Sequence, residues 1–184
     1  GTPTVGLAGS HYRLCWSHNA SNVRDYNVEI DSNADLAGPF VRDLDCTLGL
    51  ECALTLEGHR LSASNRLAVI SSGACGDSNA SIANATWTTQ NATNVSNARA
   101  NYKFETPTIG TAGAYFKLCW GHDPVNMSNY NVELDPSAVL AGPFVTDFSC
   151  TLGLLCTLEV FGYRVNVSNA MILLAHGSCG SASA

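Results

Sequence analysis

Charged side chains are scarce in this sequence, and their scarcity excludes one class of partner. Only 13% of the residues are charged, and the net charge of −6 includes no cluster of basic residues. A nucleic-acid-binding surface needs Lys and Arg gathered on one face to neutralise phosphates. We therefore expect no nucleic-acid partner.

Long apolar runs and helical periodicity are lacking as well. The longest apolar stretch, Ala170–Ala175, is far shorter than the ~20 residues of a membrane-spanning helix, so we expect no membrane span. No segment sustains the period of 3.6 residues that marks an amphipathic helix. The sequence opens on Gly rather than Met and shows no signal peptide, from which we expect a processed secretory product.

The motifs of catalysis and of metal binding are missing too. The serines lie in no nucleophile elbow, no Gly-rich loop leads from a strand into a helix, and the cysteines show no C-x-x-C spacing. Some polar residues recur along the chain as candidate bases, metal ligands or calcium ligands. They are His18 and His122, and the acidic residues Glu29, Asp31, Asp43, Glu133, Asp135 and Asp147. Hydrogen-bonding histidines and a solvated acidic face are the favoured interpretation. We expect no enzyme, no metal and no cofactor.

What the chain does contain is a long internal repeat. Residues 2–80 align without a gap with residues 106–184, and about half of the aligned positions are identical. Such a repeat indicates two copies of one fold. We predict a domain at residues 1–80 and another at 106–184, joined by a connector at 81–105. Residues that correspond in the two copies are called twins below.

Four cysteines stand at matched positions in each copy, which indicates disulfides formed in an oxidising compartment. They are Cys15, Cys46, Cys52 and Cys75, with twins Cys119, Cys150, Cys156 and Cys179. Four cysteines allow three pairings, and the sequence does not strictly choose among them. We favour Cys46–Cys52, which closes a short loop, and Cys15–Cys75, which ties an early strand to the last one, with the same pattern in the second copy.

Alternating apolar and polar residues predict short β-strands. Tyr12, Leu14 and Trp16 point to one face, while Arg13 and Cys15 point to the other. About seven such runs in each copy, separated by Gly-bearing turns, are typical of a β-sandwich. We predict an all-β protein of two tandem immunoglobulin-like β-sandwich modules. Because Cys15 and Trp16 are adjacent, the likeness to true immunoglobulin domains concerns the architecture only.

Seven Asn-x-Ser/Thr sequons fit a secreted glycoprotein and cluster around the connector. They are Asn19, Asn79, Asn84, Asn91, Asn94, Asn126 and Asn166. The connector has two interpretations: Ser81–Ser96 is a glycan-bearing spacer, or Ile82–Thr89 is a strand that docks on a module. The large aromatic Trp87 favours docking, since a wet indole forgoes apolar burial.

Two runs carry a family resemblance: GSHYRLCW at Gly9–Trp16 and GAYFKLCW at Gly113–Trp120. They resemble the G-x-Y-x-L-C-W repeats of cysteine-rich extracellular proteins of microbial eukaryotes. The later GPF, the C-x5-C hairpin and the terminal C-G agree with that pattern, although Ser17 and Gly121 stand where those repeats often have a second Cys. The chain also resembles immunoglobulin-like subunits of extracellular fibrils, some of which donate a terminal β-strand to a neighbour.

The first residues are the candidate assembly strand. Thr2, Pro3, Thr4 and Val5 precede the first module, and proline is tolerated on an edge strand but not in the centre of a sheet. An unpaired edge invites another chain. We expect this segment either to pack into a neighbouring subunit or to be the first strand of its own sheet.

The favoured function is therefore a structural subunit of an extracellular fibril or surface coat. Its partners would be copies of itself and N-linked glycans, and its location would be extracellular or at the cell surface. The alternative is a secreted carbohydrate-binding or adhesion module, in which exposed aromatics and the face of Asn27, Glu29 and Asp31 contact sugars. A secreted hydrolase is a weaker third interpretation.

Overall fold

The computed structural model describes residues 1–83, 87 and 89–181, and these form an all-β protein. The strands are β1 (Gly9–Trp16), β2 (Val28–Leu36), β3 (Gly38–Pro39), β4 (Asp45–Thr47), β5 (Ala53–His59), β6 (Asn65–Ser72), β7 (Ser81–Ile82), β8 (Thr89–Asn91), β9 (Arg99–Lys103), β10 (Gly113–His122), β11 (Val132–Pro143) and β12 (Gly162–Tyr163). Short 3-10 turns at Val23–Asp25 and Met127–Asn129 link the strands of the two longest hairpins. No helix in the described part of the chain is long and apolar enough to span a bilayer.

Three sheets are present. The largest has the strand order β12-β11-β10-β6-β7, with β4 parallel to β11 and β8 beside β6. A second sheet has the order β3-β5-β9, and β1 pairs only with β2 in a separate hairpin. The large sheet therefore combines β4 and β6 from the first copy with β10 and β11 from the second.

The burial of the strands follows from their sequence patterns. In β5, Leu54 and Leu56 are buried while Thr55 and Glu57 are exposed, as expected for a strand with one wet face. In β6 the run Leu67–Ile70 is fully buried on both faces, because Leu67 and Val69 belong to the main core while Ala68 and Ile70 pack with Cys119 and Tyr130 on the other side. The uninterrupted apolar run thus marks the central strand.

One main core joins the sheets, and it draws on three parts of the chain. The late part of the first copy supplies Leu44, Leu54, Leu56, Leu67 and Val69; the connector supplies Trp87, Ala100, Tyr102 and Phe104; the early part of the second copy supplies Phe116, Leu118, Trp120, Leu134 and Leu140. The all-β class is confirmed. Two tandem immunoglobulin-like sandwiches are not confirmed, because the core is shared between the copies instead of being repeated within each.

The connector packs against this core. Trp87 is buried, its indole N–H donates to Sγ of Cys46 at 3.3 Å, and its ring meets Phe116 edge to face at 4.8 Å. Strand β9 pairs with β5 along its whole length. Trp87 is therefore packed in the core, but it does not belong to a strand, and four residues of the predicted docking strand Ile82–Thr89 (84–86 and 88) lie outside the described residues.

Three disulfides staple the described structure. Cys46–Cys52 and Cys150–Cys156 each close a short loop, and these are the pairings that the sequence favoured. The third bond joins Cys75 to Cys119, with 5.5 Å between the Cα atoms. It corrects the favoured Cys15–Cys75 and Cys119–Cys179 pairings, because the first copy's last strand lies beside β10 and not beside β1. Cys15 and Cys179 are free and exposed.

Replacing Cys119 tests this cross-copy staple. The Cys75–Cys119 bond closes a loop of 44 residues, so loop-closure entropy assigns it about 4 kcal/mol. We expect Cys119→Ser to lower the free energy of unfolding in urea by about that amount. The matched control is its twin variant Cys15→Ser, which should leave the value unchanged; equal losses in the two variants would contradict the assignment.

Tyr102 gives the core a dependence on alkaline pH. Its hydroxyl is buried without a hydrogen-bond partner in the part of the chain that is described, and burial raises its pKa to about 12, partly opposed by the Trp120 side chain. An unfolded tyrosine ionises near pH 10. Because the raised pKa disfavours the phenolate in the fold, stability is full below pH 10 and falls as the pH rises towards 12.

We therefore expect up to about 2 kcal/mol of alkaline destabilisation from this one group. Urea unfolding at pH 9 and at pH 11 measures it. The variant Tyr102→Phe should lose less stability than the wild type between pH 9 and pH 11. The variant Tyr115→Phe, which replaces an exposed tyrosine, should lose as much stability as the wild type. If Tyr102→Phe kept the full pH dependence, the buried phenol would not be its source.

Candidate assembly surfaces

The hairpin of β1 and β2, called the N-terminal hairpin below, is a twin of the β10–β11 hairpin. Both are antiparallel, and their registers agree position by position: Gly9 faces Leu36 as Gly113 faces Leu140. The irregularities in pairing fall at the same three places in both hairpins. Matching sequence has therefore produced matching local structure.

The two hairpins differ in what covers them. Leu118, Trp120 and Leu134 of the second copy are 0%, 7% and 1% exposed, because β6, β4 and the connector pack around them. Their twins in the N-terminal hairpin are Leu14, Trp16 and Ile30, which are 52%, 47% and 59% exposed. An apolar sheet face that is core in one copy is thus open to solvent in the other.

Residues 148–179, called the C-terminal segment below, show the complementary exposure. Their twins form β4, β5 and β6, the first copy's share of the core. Buried Leu67 and Val69 correspond to Met171 and Leu173, which are 61% and 96% exposed. Among the described residues, the contacts that hold this segment to the fold include the pairing of β12 with the end of β11 and the ion pair of Arg164 with Asp45. The N–H of Phe144 also donates to the carbonyl of Phe161 at 2.8 Å.

An apolar groove of about 980 Å³ lies along the C-terminal segment. Its walls include Phe144, Phe148, Val160, Val165 and Met171. The twins of four of these residues, Leu44, Leu56, Leu61 and Leu67, are buried members of the shared core. The groove is therefore lined by side chains whose twins fill a hydrophobic interior.

The recurring acidic residues are engaged in protein contacts. Glu29 pairs with Arg13 at 3.1 Å, and its twin Glu133 pairs with Lys117 at 3.5 Å. Asp135 is buried, and its carboxylate accepts hydrogen bonds from the backbone N–H of Leu44 at 2.8 Å and of Ser137 at 2.9 Å. Asp31, the twin of Asp135, is exposed, as are Asp43 and Asp147.

The recurring histidines also differ between the copies. Nδ1 of His122 lies 2.8 Å from Nδ2 of the buried Asn65 at the end of the β6–β10 pair. Its twin His18 is exposed, beside Trp16. The described residues contain no group of three or more His, Cys, Asp or Glu side chains placed to hold a metal ion.

The predicted assembly strand, Thr2, Pro3, Thr4 and Val5, is exposed and belongs to none of the strands. Pro3, Thr4 and Val5 line a small depression together with Trp120 and Val132. The twin segment behaves differently, because Pro107 is buried and its carbonyl accepts a hydrogen bond from the N–H of Gly49 at 2.8 Å. The sequence thus pointed to the end of the chain but missed the larger surface of the N-terminal hairpin.

The sequon asparagines that the structure describes are all exposed: Asn19, Asn79, Asn91, Asn94, Asn126 and Asn166. Asn84 lies outside the described residues. Asn126 precedes a 3-10 turn and accepts a hydrogen bond from the backbone N–H of Ser128 at 3.1 Å, which leaves its side-chain nitrogen for modification. These positions are sterically open to a glycan.

No protein-family model, curated protein or solved structure matches this chain. The chain nevertheless contains its own reference, because each half is present in one covered copy and one uncovered copy.

Asp135 and its twin Asp31 form a matched pair for testing this comparison. We expect Asp135→Ala to lower the free energy of unfolding by about 1–3 kcal/mol, because it leaves the N–H of Leu44 buried without an acceptor. Asp31→Ala should change it by less than about 0.5 kcal/mol, since Asp31 is exposed. Urea unfolding of dilute, monomeric protein measures both, and equal losses would contradict the asymmetry.

Proposed function

We propose that this protein is a structural subunit of an extracellular fibril or surface coat and that copies of it associate through β-strand contacts. The observation that carries the proposal is the N-terminal hairpin, whose apolar face is exposed although the same face of β10–β11 is core. Exposed strands with apolar side chains are sites at which another chain adds to a sheet.

An extracellular location is supported by the covalent chemistry of the chain. Three disulfides are present, and such bonds persist in oxidising compartments. The exposed sequons are compatible with the same route, because N-glycans are added in the secretory pathway. Disulfides and glycans would protect a coat that is exposed to proteases.

In this proposal, the tandem sandwiches that the sequence predicts form only when copies of the chain associate. One core is complete within a single chain, and the N-terminal hairpin and the C-terminal segment retain apolar faces for further cores. Association of copies would supply those faces with partners, so that successive sandwich modules alternate along the polymer.

Concentration-dependent association is the expected behaviour of the secreted, oxidised chain of residues 1–184. Burying one Leu or Ile side chain stabilises a contact by about 1.5–3 kcal/mol. We expect Leu14→Ser with Ile30→Ser to abolish polymers that the wild type forms, as seen by negative-stain microscopy and light scattering. The control Val23→Ser removes an apolar residue that is even more exposed but lies outside the hairpin strands, and it should leave assembly intact.

A wild-type protein that stays monomeric at all accessible concentrations would contradict the proposal. Binding of that monomer to defined glycans would instead favour the carbohydrate-binding alternative, in which Trp16 and Tyr26 are exposed for stacking on sugars.

A further inference from the structure

We infer that the C-terminal segment of one copy and the N-terminal hairpin of a second copy combine into one sandwich, locked by a disulfide between Cys179 and Cys15. This inference rests on the proposed function and gives its contacts. The partner is a second copy of this chain, and the geometry of the composite is that of the core already formed within each chain. Assembly would therefore run head to tail.

The intact core is the template. In it, the late part of the first copy packs against the early part of the second, which are twins of the C-terminal segment and of the N-terminal hairpin respectively. The twin of the C-terminal segment and the twin of the N-terminal hairpin are therefore already packed against each other within the chain. The composite repeats an interface whose fit the chain itself demonstrates.

The β6–β10 pairing transfers with its register. Leu118 pairs with Val69 and Trp120 pairs with Leu67 in the intact core. The twin pairs are Leu14 with Leu173 and Trp16 with Met171, which are apolar throughout and exposed at present. Pairing them would bury four large side chains that the single chain leaves in water.

The parallel β4–β11 pairing transfers in the same way. Leu140 pairs with Cys46, and its twin pair is Leu36 with Cys150. A composite would therefore add a strand on each side of the N-terminal hairpin, one from each end of the C-terminal segment. The isolated two-stranded hairpin would become the centre of a four-stranded sheet, which removes both of its open edges.

The polar contacts of the intact core also have complete twins. The Asn65–His122 contact corresponds to Asn169 with His18, where the same residue types stand. The hydrogen bond from the Leu44 N–H to the Asp135 carboxylate corresponds to one from the Phe148 N–H to the Asp31 carboxylate. The change from Leu to Phe does not affect it, because the donor is a backbone N–H.

A third polar contact involves the predicted assembly strand. The bond from Gly49 N–H to the Pro107 carbonyl corresponds to Gly153 N–H with the Pro3 carbonyl. This places Pro3 against the Cys150–Cys156 loop of the neighbouring copy. The residues needed for these three contacts are present in the N-terminal hairpin and the C-terminal segment, although the described structure of a single chain does not form the contacts. They would form only in the composite.

The remaining free cysteines complete the match. Cys75 and Cys119 are bonded in the intact core, and their twins Cys179 and Cys15 are the two free, exposed cysteines among the described residues. In the secretory pathway, oxidised glutathione is the oxidant: one sulfur–sulfur bond forms between Cys179 and Cys15, and the glutathione disulfide breaks into two thiols that take the two protons and two electrons.

The bond would add covalent stability to a composite that is built from these two halves. Trp87, Tyr102 and Phe104 add large buried side chains to the intact core, and no residue of the two exposed halves replaces them. The composite core is therefore smaller, and a staple matters more when apolar burial is limited. We expect reduction of Cys15–Cys179 to dissociate the polymer on dilution.

Two single variants test the inference by complementation. The secreted chain of residues 1–184 is oxidised in a glutathione buffer and run on a non-reducing gel. The wild type should give a ladder of polymers. Cys15→Ser alone and Cys179→Ser alone should stay monomeric, and their equimolar mixture should give one disulfide-linked dimer and stop there, with the Cys15–Cys179 peptide found by mass spectrometry.

Other outcomes would overturn the inference. Dimers of either single variant with itself would indicate unspecific thiol pairing, and a wild-type monomer carrying Cys15–Cys179 within one chain would indicate closure on itself. The register is tested separately: Leu14→Ser with Ile30→Ser, which keeps both cysteines, should slow dimerisation in the mixture at least about tenfold. Val23→Ser should not slow it, and equal rates in all three would contradict the sandwich contact.

The failures of the two proposals are distinguishable. Fibres of normal length from a Cys15→Ser, Cys179→Ser double variant, together with no dimer in the mixture, would support a structural polymer and reject this junction. A dimer in the mixture without any wild-type fibres would support the junction and reject the fibril function.

Discussion

The pairing of β6 with β10 is the contact on which the rest of the structure depends. It joins the last strand of the first copy to the first long strand of the second, and both strands are buried where they meet. The Cys75–Cys119 bond and the Asn65–His122 contact both belong to this seam. Because the seam crosses the boundary between copies, the folding unit is out of phase with the sequence repeat.

That phase shift also explains the character of the chain's ends. A core assembled from the late part of one copy and the early part of the next uses each half once. The early half of the first copy and the late half of the second then remain, with their apolar faces intact. The exposed surfaces are thus a direct consequence of duplication followed by pairing across the duplicate boundary.

Local features could be predicted from the sequence because they depend on neighbouring residues. The alternation of Leu54 and Leu56 with polar residues gave a half-buried strand, the uninterrupted run at Leu67–Ile70 gave a central one, and the short Cys46–Cys52 loop gave a disulfide. The choice of partner could not be predicted in the same way. Twin halves carry the same pattern, so pairing within a copy and pairing between copies look equivalent in sequence.

The connector breaks that equivalence. Trp87, Tyr102 and Phe104 are buried between the two parts that it links, which favours their association over pairing within either copy. The sequence predicts that Trp87 docks on a module, but the pattern of residues around Trp87 does not identify which cysteines pair. Likewise, the assembly segment was placed at Thr2–Val5, whereas the larger exposed surface begins at β1. The signal for it was present: Leu14 and Trp16 recur as Leu118 and Trp120, and residues that recur as core require burial somewhere.

The Cys75–Cys119 bond also determines how the molecule would carry tension. A force applied at the two ends passes along the backbone to Cys75, crosses the sulfur–sulfur bond and continues from Cys119. The 43 residues between these cysteines lie outside this covalent path and carry none of the force. Four of the seven sequons lie among these residues, together with β7, β8 and β9. Stretching would therefore leave this sequon-rich part of the protein mechanically unloaded until a covalent bond fails.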